Sequence, residues 1–369
     1  MKKVLFLSIS FVIFFFFLGM FVGIYEFFPY SELAYLKNQF ETNSQIMSNN
    51  PSETLNIDYL ISIQNESDIF EKRNQLIQFI WNSDDLPSRL PDYVEQNISD
   101  ERFSDLSNLK QIDKLTIEME SGIFSIVYIF SSEIDNDDVI LYHQGHSGGF
   151  INGKNTIQKL LNSGFTVAAF SMPLTGMNNE PIIEIENLGP VKIFKHNQFV
   201  HLERDDFSPM SYFFTPISLT LNYFDKTFSI DKYHMIGISG GGWTTTVYPA
   251  IDTRISESFS VAGSLPLSLR NTIDDVGDYE QYNTEFYSVA NYFELYIMSS
   301  FGEDRKHFQI YNKFDSCCFA GTTSEYYENS IKNSISELQL GYFDIIIDDT
   351  HSEHKISDYT IDSIIDMII

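Results

Sequence analysis

The chain has 369 residues, 43% of them hydrophobic and 15% aromatic, enough apolar surface for one large domain with appendages. Its 51 acidic side chains against 23 basic ones give a formal net charge of -28, and without clustered Lys and Arg to neutralise phosphates, nucleic acid is excluded as a partner. The acidity serves solubility in the first instance, and attraction of a cationic substrate in the second.

Lys2 and Lys3 precede an uncharged apolar run from Val4 to Tyr25, which Glu26 ends. Its length suits a membrane-spanning helix, which needs about 20 residues. A cleavable signal peptide has a shorter apolar centre and a small-residue exit, and no such exit is evident near Gly19 or Gly23. Residues 1–30 are therefore expected to be an uncleaved anchor, with secretion the alternative if the segment is cleaved. The two lysines before it, with Glu26 and Glu32 after it, place the N-terminus in the cytoplasm and the remainder outside, periplasmic or extracellular.

Residues 31–113 are rich in Asn and Ser, with helical periodicity in Leu33, Leu36 and Phe40 and again in Phe70, Leu76, Phe79 and Ile80. They are expected to form a helical stalk or an accessory layer, and carry no chemical motif. From Lys114 strands take over. Leu115 to Glu120 and Gly122 to Phe130 read as a hairpin, followed by short apolar runs at 139–142, 165–170, 233–238, 255–261, 308–311 and 343–347. Helical stretches lie between them at 156–162, 209–223, 244–251, 325–338 and 356–368, so an α/β fold with a mostly parallel sheet and helices on both faces is expected over 114–369.

Within that alternation, Tyr233 to Ile238 runs into Gly237-Ile238-Ser239-Gly240-Gly241 and then a helix-compatible segment. Strand, tight turn and helix around a Gly-x-Ser-x-Gly pentapeptide make a nucleophile elbow, in which the glycines let strand and helix approach while the serine stands at the tip. With the order of elements, this stretch resembles the α/β-hydrolase superfamily, of the serine esterase or prolyl-oligopeptidase kind, over residues 114–369. The resemblance implies that Ser239 is the nucleophile and that its acid and base follow in that order on loops after later strands.

For the acid, Asp315 follows the 308–311 strand, whereas Glu303 and Asp304 precede it and lie at the wrong end. For the base, two histidines follow the 343–347 strand. Thr350 and Glu353 could form a capping box that puts both on one helical face, so spacing does not choose between them. His354 is preferred for the resemblance of His354 to Ser357 to the histidine loop of such enzymes, and His351 is the alternative. The oxyanion donors are expected to be the amides of Gly240 and of His146, with Gly145 next, from a His143-to-Gly149 loop that resembles the His-Gly loop of esterases. A metal site at Asp348, Asp349, His351 and His354 lacks a second cluster at ligand spacing, so neither metal nor cofactor is expected.

Ser171 to Asn178 is expected to shape the pocket. A cap-like insert over about 268–307, with Asp278, Tyr279, Glu280, Tyr282 and Tyr292, is either a lid or ordinary packing. The only cysteines, Cys317 and Cys318, are expected as two small buried thiols, a bond between neighbours requiring an oxidising compartment. Together these features point to a membrane-anchored serine hydrolase acting on a small acyl ester. Alternatives are a prolyl-oligopeptidase-like peptidase acting on a peptide, and a non-catalytic binding protein on the same fold. Oligomeric state is not legible.

Overall fold

Runs such as Val139–His143 and Tyr233–Ile238 have no polar face to give to water, and they become strands covered on both sides. The computed structural model describes residues 56–134, 136–270 and 276–369. The expected anchor over 1–30 lies outside the described residues, among which no helix is long and apolar enough to cross a membrane.

In chain order the elements are α1 (Glu66–Trp81), β1 (Tyr93–Glu95), β2 (Leu109–Glu118), β3 (Phe124–Ser132), β4 (Val139–His143), α2 (Lys154–Asn162), β5 (Thr166–Phe170), β6 (Ile182–Ile185), β7 (Gly189–Lys192), α3 (Ser211–Thr227), β8 (Tyr233–Ile238), α4 (Gly240–Ile251) and β9 (Ile255–Val261). There follow α5 (Tyr279–Tyr282), α6 (Thr284–Val289), α7 (Tyr292–Ser300), β10 (Lys306–Asn312), α8 (Glu328–Leu338), β11 (Tyr342–Asp348) and α9 (Asp358–Ile368). Nine strands form one sheet in the order β1-β2-β3-β5-β4-β8-β9-β10-β11, and β6 and β7 pair separately. The first pairings, β1 with β2, β2 with β3 and β3 with β5, are antiparallel; from β5 to β11 the sheet is parallel.

Side-chain alternation divides the core in two. Val139 and Leu141 join the apolar cluster on one face, with residues of α1, α3, α4 and α7, while Ile140 and Tyr142 join the other, with residues of α2 and α9. After β4 the chain lays β5 on one side and later β8 on the other, so the strand order reverses between β4 and β8. A crevice opens at the carboxyl ends of strands at such a reversal. The register that pairs His143 with Gly237 and Asn312 with Asp348 brings the loops after β4, β8, β10 and β11 to that one edge of the sheet.

The structure departs from the expected boundary at residue 114. Strand β2 begins at Leu109, ahead of residue 114, and β1 pairs with it, Tyr93 opposite Thr116. The segment before 114 thus contributes to the sheet as well as to α1. Asn65 and Asp68 close a capping box on α1, whose Ile69, Leu76, Ile77 and Ile80 enter the core. Arg73 Nε donates to the carbonyl of Ala250 at 2.9 Å, and Lys72 pairs with Glu294 at 3.2 Å, so this helix lies on α4 and α7. In the 268–307 insert, Tyr279, Phe286, Tyr292 and Phe293 are buried in the main core, as ordinary packing requires.

Candidate active site

Ser239 sits between β8 and α4 with φ 57° and ψ -126°, a left-handed conformation that a non-glycine residue adopts only when its surroundings impose it. The constraint is visible around it. The Ser239 amide donates to Val261 O at 3.0 Å, and its carbonyl accepts from Trp243 N at 2.9 Å. Strand and helix approach so closely that a methyl group on Gly237 would fall 2.1 Å from Gly241 O, and one on Gly241 2.1 Å from His143 O. Only glycine fits these places. Helix α4 starts at Gly240, four residues earlier than apolar periodicity suggests, because the elbow feeds straight into its first turn.

On the loop after β10, Asp315 is buried and fully committed. Its Oδ1 accepts from the amides of Cys317 at 2.7 Å and Cys318 at 3.1 Å; its Oδ2 accepts from Asn312 Nδ2 at 3.1 Å and meets His354 Nδ1 at 2.8 Å. Burial opposes its charge, but the His354 hydrogen bond and charge and the two amides outweigh it and hold the carboxyl below its ordinary range. The contact with an ionised acid makes Nδ1 the protonated nitrogen of a neutral His354, leaving Nε2 as the basic one. Nε2 is buried and has no hydrogen-bond partner.

His351 goes elsewhere. Its Nε2 makes no hydrogen bond but lies 3.4 Å from Asp348 Oδ2, on a carboxylate that accepts from the Thr350 amide at 2.9 Å, the Thr350 hydroxyl at 2.6 Å, the Thr360 hydroxyl at 2.7 Å and the Ser357 hydroxyl. The capping box expected of Thr350 and Glu353 does not form. Asp348 takes both Thr350 donors, both histidines stay in a loop, and α9 begins later with Ser357 as its cap. The structure therefore brings Asp315 to His354 and Asp348 to His351.

The loop after β4 runs against the elbow. A methyl group on Gly145 would lie 2.5 Å from Ser239 Cβ and 3.1 Å from its Oγ, so the Gly145-His146 backbone passes directly beside the serine. Gly240, as the first residue of α4, has an amide with no carbonyl one turn earlier in the helix to receive it. His143 stacks on Phe170, and its Nδ1 donates to Gln144 O at 2.9 Å; burial lowers its pKa to about 4, so it is neutral near pH 7 and shapes the loop. The His146 ring hangs over the elbow, its Cε1 within 2.4 Å of where a Gly240 methyl would be.

No family model matches the sequence, and no curated protein matches it. Solved structures do match. A methylesterase, BT1017, superposes with a TM-score of 0.59 at 11% identity over 81% of this chain, which spans 62% of that protein's length. An acetyl xylan esterase from Paenibacillus sp. R4 gives 0.57 at 14% identity, covering 84% of this chain and 96% of its own. Acetyl xylan esterase 1 from Thermoanaerobacterium sp. JW/SL YS485 gives 0.52 at 15%, covering 81% and 92%. The chain has the α/β-hydrolase fold.

Two features of this hydrolase-fold chain escape sequence reasoning. Cys317 and Cys318 are bonded to each other, and neither is buried, which corrects the expectation of two buried thiols. The turn that holds them presents its amides to Asp315, so they belong to the acid's loop. His196, not singled out by any motif, stacks on Phe199 and reaches Glu280, itself 0% exposed. Burial disfavours charge on both; the attraction between them prevails, holding His196 above and Glu280 well below its ordinary range. Glu280 and Asp278 also reach His146, at 2.9 and 3.4 Å.

Proposed function

We propose that this chain is a serine hydrolase that cleaves a carboxylic ester. The observation that carries it is the 2.8 Å contact of Asp315 with His354 Nδ1, which leaves a buried, partnerless Nε2 on the sheet edge that bears the strained Ser239. In the proposed cycle His354 Nε2 takes the Ser239 proton as Oγ attacks the ester carbonyl. Asp315 fixes the tautomer and stabilises the imidazolium. The amides of Gly240 and His146 receive the developing oxyanion, His354 returns the proton to the leaving alcohol, and water releases the acyl group by the reverse sequence. No step requires a metal or cofactor. The structural neighbours, two acetyl xylan esterases and a methylesterase, support an ester over a peptide and a small acyl or alkoxy group over a long one.

The composition of Val4 to Tyr25 supports an uncleaved anchor, with the hydrolase domain outside the cytoplasm. The test is labelling of the full chain by a fluorophosphonate, with hydrolysis of p-nitrophenyl acetate and of a chromogenic dipeptide measured in parallel. Wild type and His351→Ala should label and cleave the ester, while folded Ser239→Ala and His354→Ala lose at least about 10³-fold. Folded wild type that takes no label refutes serine catalysis, and cleavage of the dipeptide alone replaces the esterase with the peptidase.

A further inference from the structure

Beside the serine lies a second constellation that the proposed chemistry does not use. His146 Nε2, His196 Nδ1 and carboxylate oxygens of Asp278 and Glu280 all lie within 4.8 Å of one another. The separations are 3.2 Å between the two ring nitrogens, 2.9 Å from His146 to Glu280 Oε1, 3.1 Å from His196 to Glu280 Oε2, and 3.4 Å from His146 to Asp278 Oδ2. Four donors around one ion at about 2.0–2.1 Å, tetrahedrally placed, stand about 3.3 Å apart. The two ring nitrogens and the His146–Asp278 pair stand near that edge, each ring has a Glu280 oxygen at 2.9–3.1 Å, and the remaining pairs lie within 4.8 Å.

The donor inventory points the same way. His196 Nε2 is 2.9 Å from the carbonyl of Pro173, which can only accept, so Nε2 carries the hydrogen. Without a metal, Nδ1–H of the imidazolium donates to Glu280 Oε2 at 3.1 Å; a metal would displace that proton and take the Nδ1 lone pair. A histidine that gives its far N–H to a carbonyl is oriented as metal-binding histidines are, and a cation between the donors would replace the protons that otherwise bridge them. Two imidazoles and two carboxylates suit a borderline first-row ion better than Mg²⁺ or Ca²⁺, which prefer all-oxygen shells.

We propose that His146, His196, Asp278 and Glu280 bind one divalent transition-metal ion, Zn²⁺ by preference. Its role is structural, since four protein donors fill a tetrahedral shell. Because the His146 ring lies over Gly240, the ion ties the loop after β4 and the 278–280 segment to the elbow, and so fixes the His146 backbone beside Ser239. The site stands whether or not the serine is catalytic.

The full chain, stripped by chelator and kept free of reductant so that Cys317–Cys318 stays closed, is titrated with Zn²⁺ against a competing indicator. Metal content after dialysis and the melting temperature are read in parallel. Wild type should take one equivalent and melt higher with it, and Co²⁺ in its place should give the strong visible absorption of a tetrahedral site. His196→Ala and Glu280→Gln should weaken binding by more than the about 100-fold that loss of an outer-shell partner costs. Should those buried changes prevent folding, Asp278→Asn, whose side chain is 41% exposed, should fold and bind more weakly. Folded wild type that retains no stoichiometric Zn²⁺, Co²⁺ or Mn²⁺ overturns the proposal. So does binding that survives Asp278→Asn and His196→Ala undiminished, or that disappears in a Cys317→Ser/Cys318→Ser variant, which would move it to the cysteine loop.

Discussion

Asp348→Asn tests whether the histidine loop is held by a buried charge. The wild-type carboxylate is 0% exposed and accepts from Thr350, Ser357 and Thr360, tying the end of β11 to the start of α9 across the loop that bears His351 and His354. Burial opposes its ionisation, but these donors outweigh it and lower its pKa from 3.8 to about 2. At 1.36 kcal/mol per unit, that difference is worth about 2 kcal/mol of folding stability. Because the folded value is the depressed one, the contribution is complete above the unfolded pKa and is lost as pH falls through the folded one. At pH 7 the variant, whose amide has to turn two hydrogens into a set of donors, should melt about 4 °C below wild type. By about pH 3 roughly half of the difference should remain. The assay is a series of thermal melts of both proteins from pH 7 to pH 3, with fluorophosphonate labelling rates taken well below melting. Equal melting temperatures at pH 7, or a gap that does not shrink on acidification, would refute the account of Asp348 as an ionised anchor.

Asp315→Asn should leave the chain folded yet slow ester hydrolysis by about 10⁴-fold at pH 7, because an amide no longer fixes the His354 tautomer; a loss under tenfold would remove Asp315 from the proposed triad. Gly145→Ala drives a methyl group to within 2.5 Å of Ser239 Cβ, so kcat should fall by at least about 10²-fold through displacement of the elbow or the loop. Unchanged kcat would mean that the loop yields at no cost. Phe286→Ala removes a 0% exposed ring that meets Phe79 and Tyr287 edge-on, and should cost about 3–5 kcal/mol in a denaturant melt; a rise in KM with stability intact would instead make the insert a lid.

What the sequence discloses and what it hides follow from how far each interaction reaches along the chain. The parallel strands were legible because burial on both faces leaves an apolar run, and Tyr233–Ile238 and Ile255–Val261 have the expected bounds. The elbow was legible because strand, turn and helix are contiguous. The choice between His351 and His354 was not, since it depends on Asp315 and Asp348, and only the fold determines which carboxylate each ring meets. The cluster around His146 was hidden for the same reason. Its members stand at 146, 196, 278 and 280, a spacing no ligand motif has, and only the packing of the insert onto the β4 loop gathers them. Strand β1, three exposed residues long, offered no pattern to find.

The way α1 lies on α4 and α7 bears on how this protein can be dissected. Ile57, Ile63, Ile69, Leu76, Ile77 and Ile80 all belong to the core cluster that contains α4 and α7. A fragment trimmed to the sequence boundary at residue 114 would lose these side chains together with β1 and the first residues of β2. It would leave a strip of α4 and α7 facing water and an unpaired sheet edge, two surfaces by which partly folded chains stick to one another. Soluble recombinant pieces should therefore start before Ile57, and a protease nick in the loop after Trp81 should be tolerated only while the severed helix stays docked.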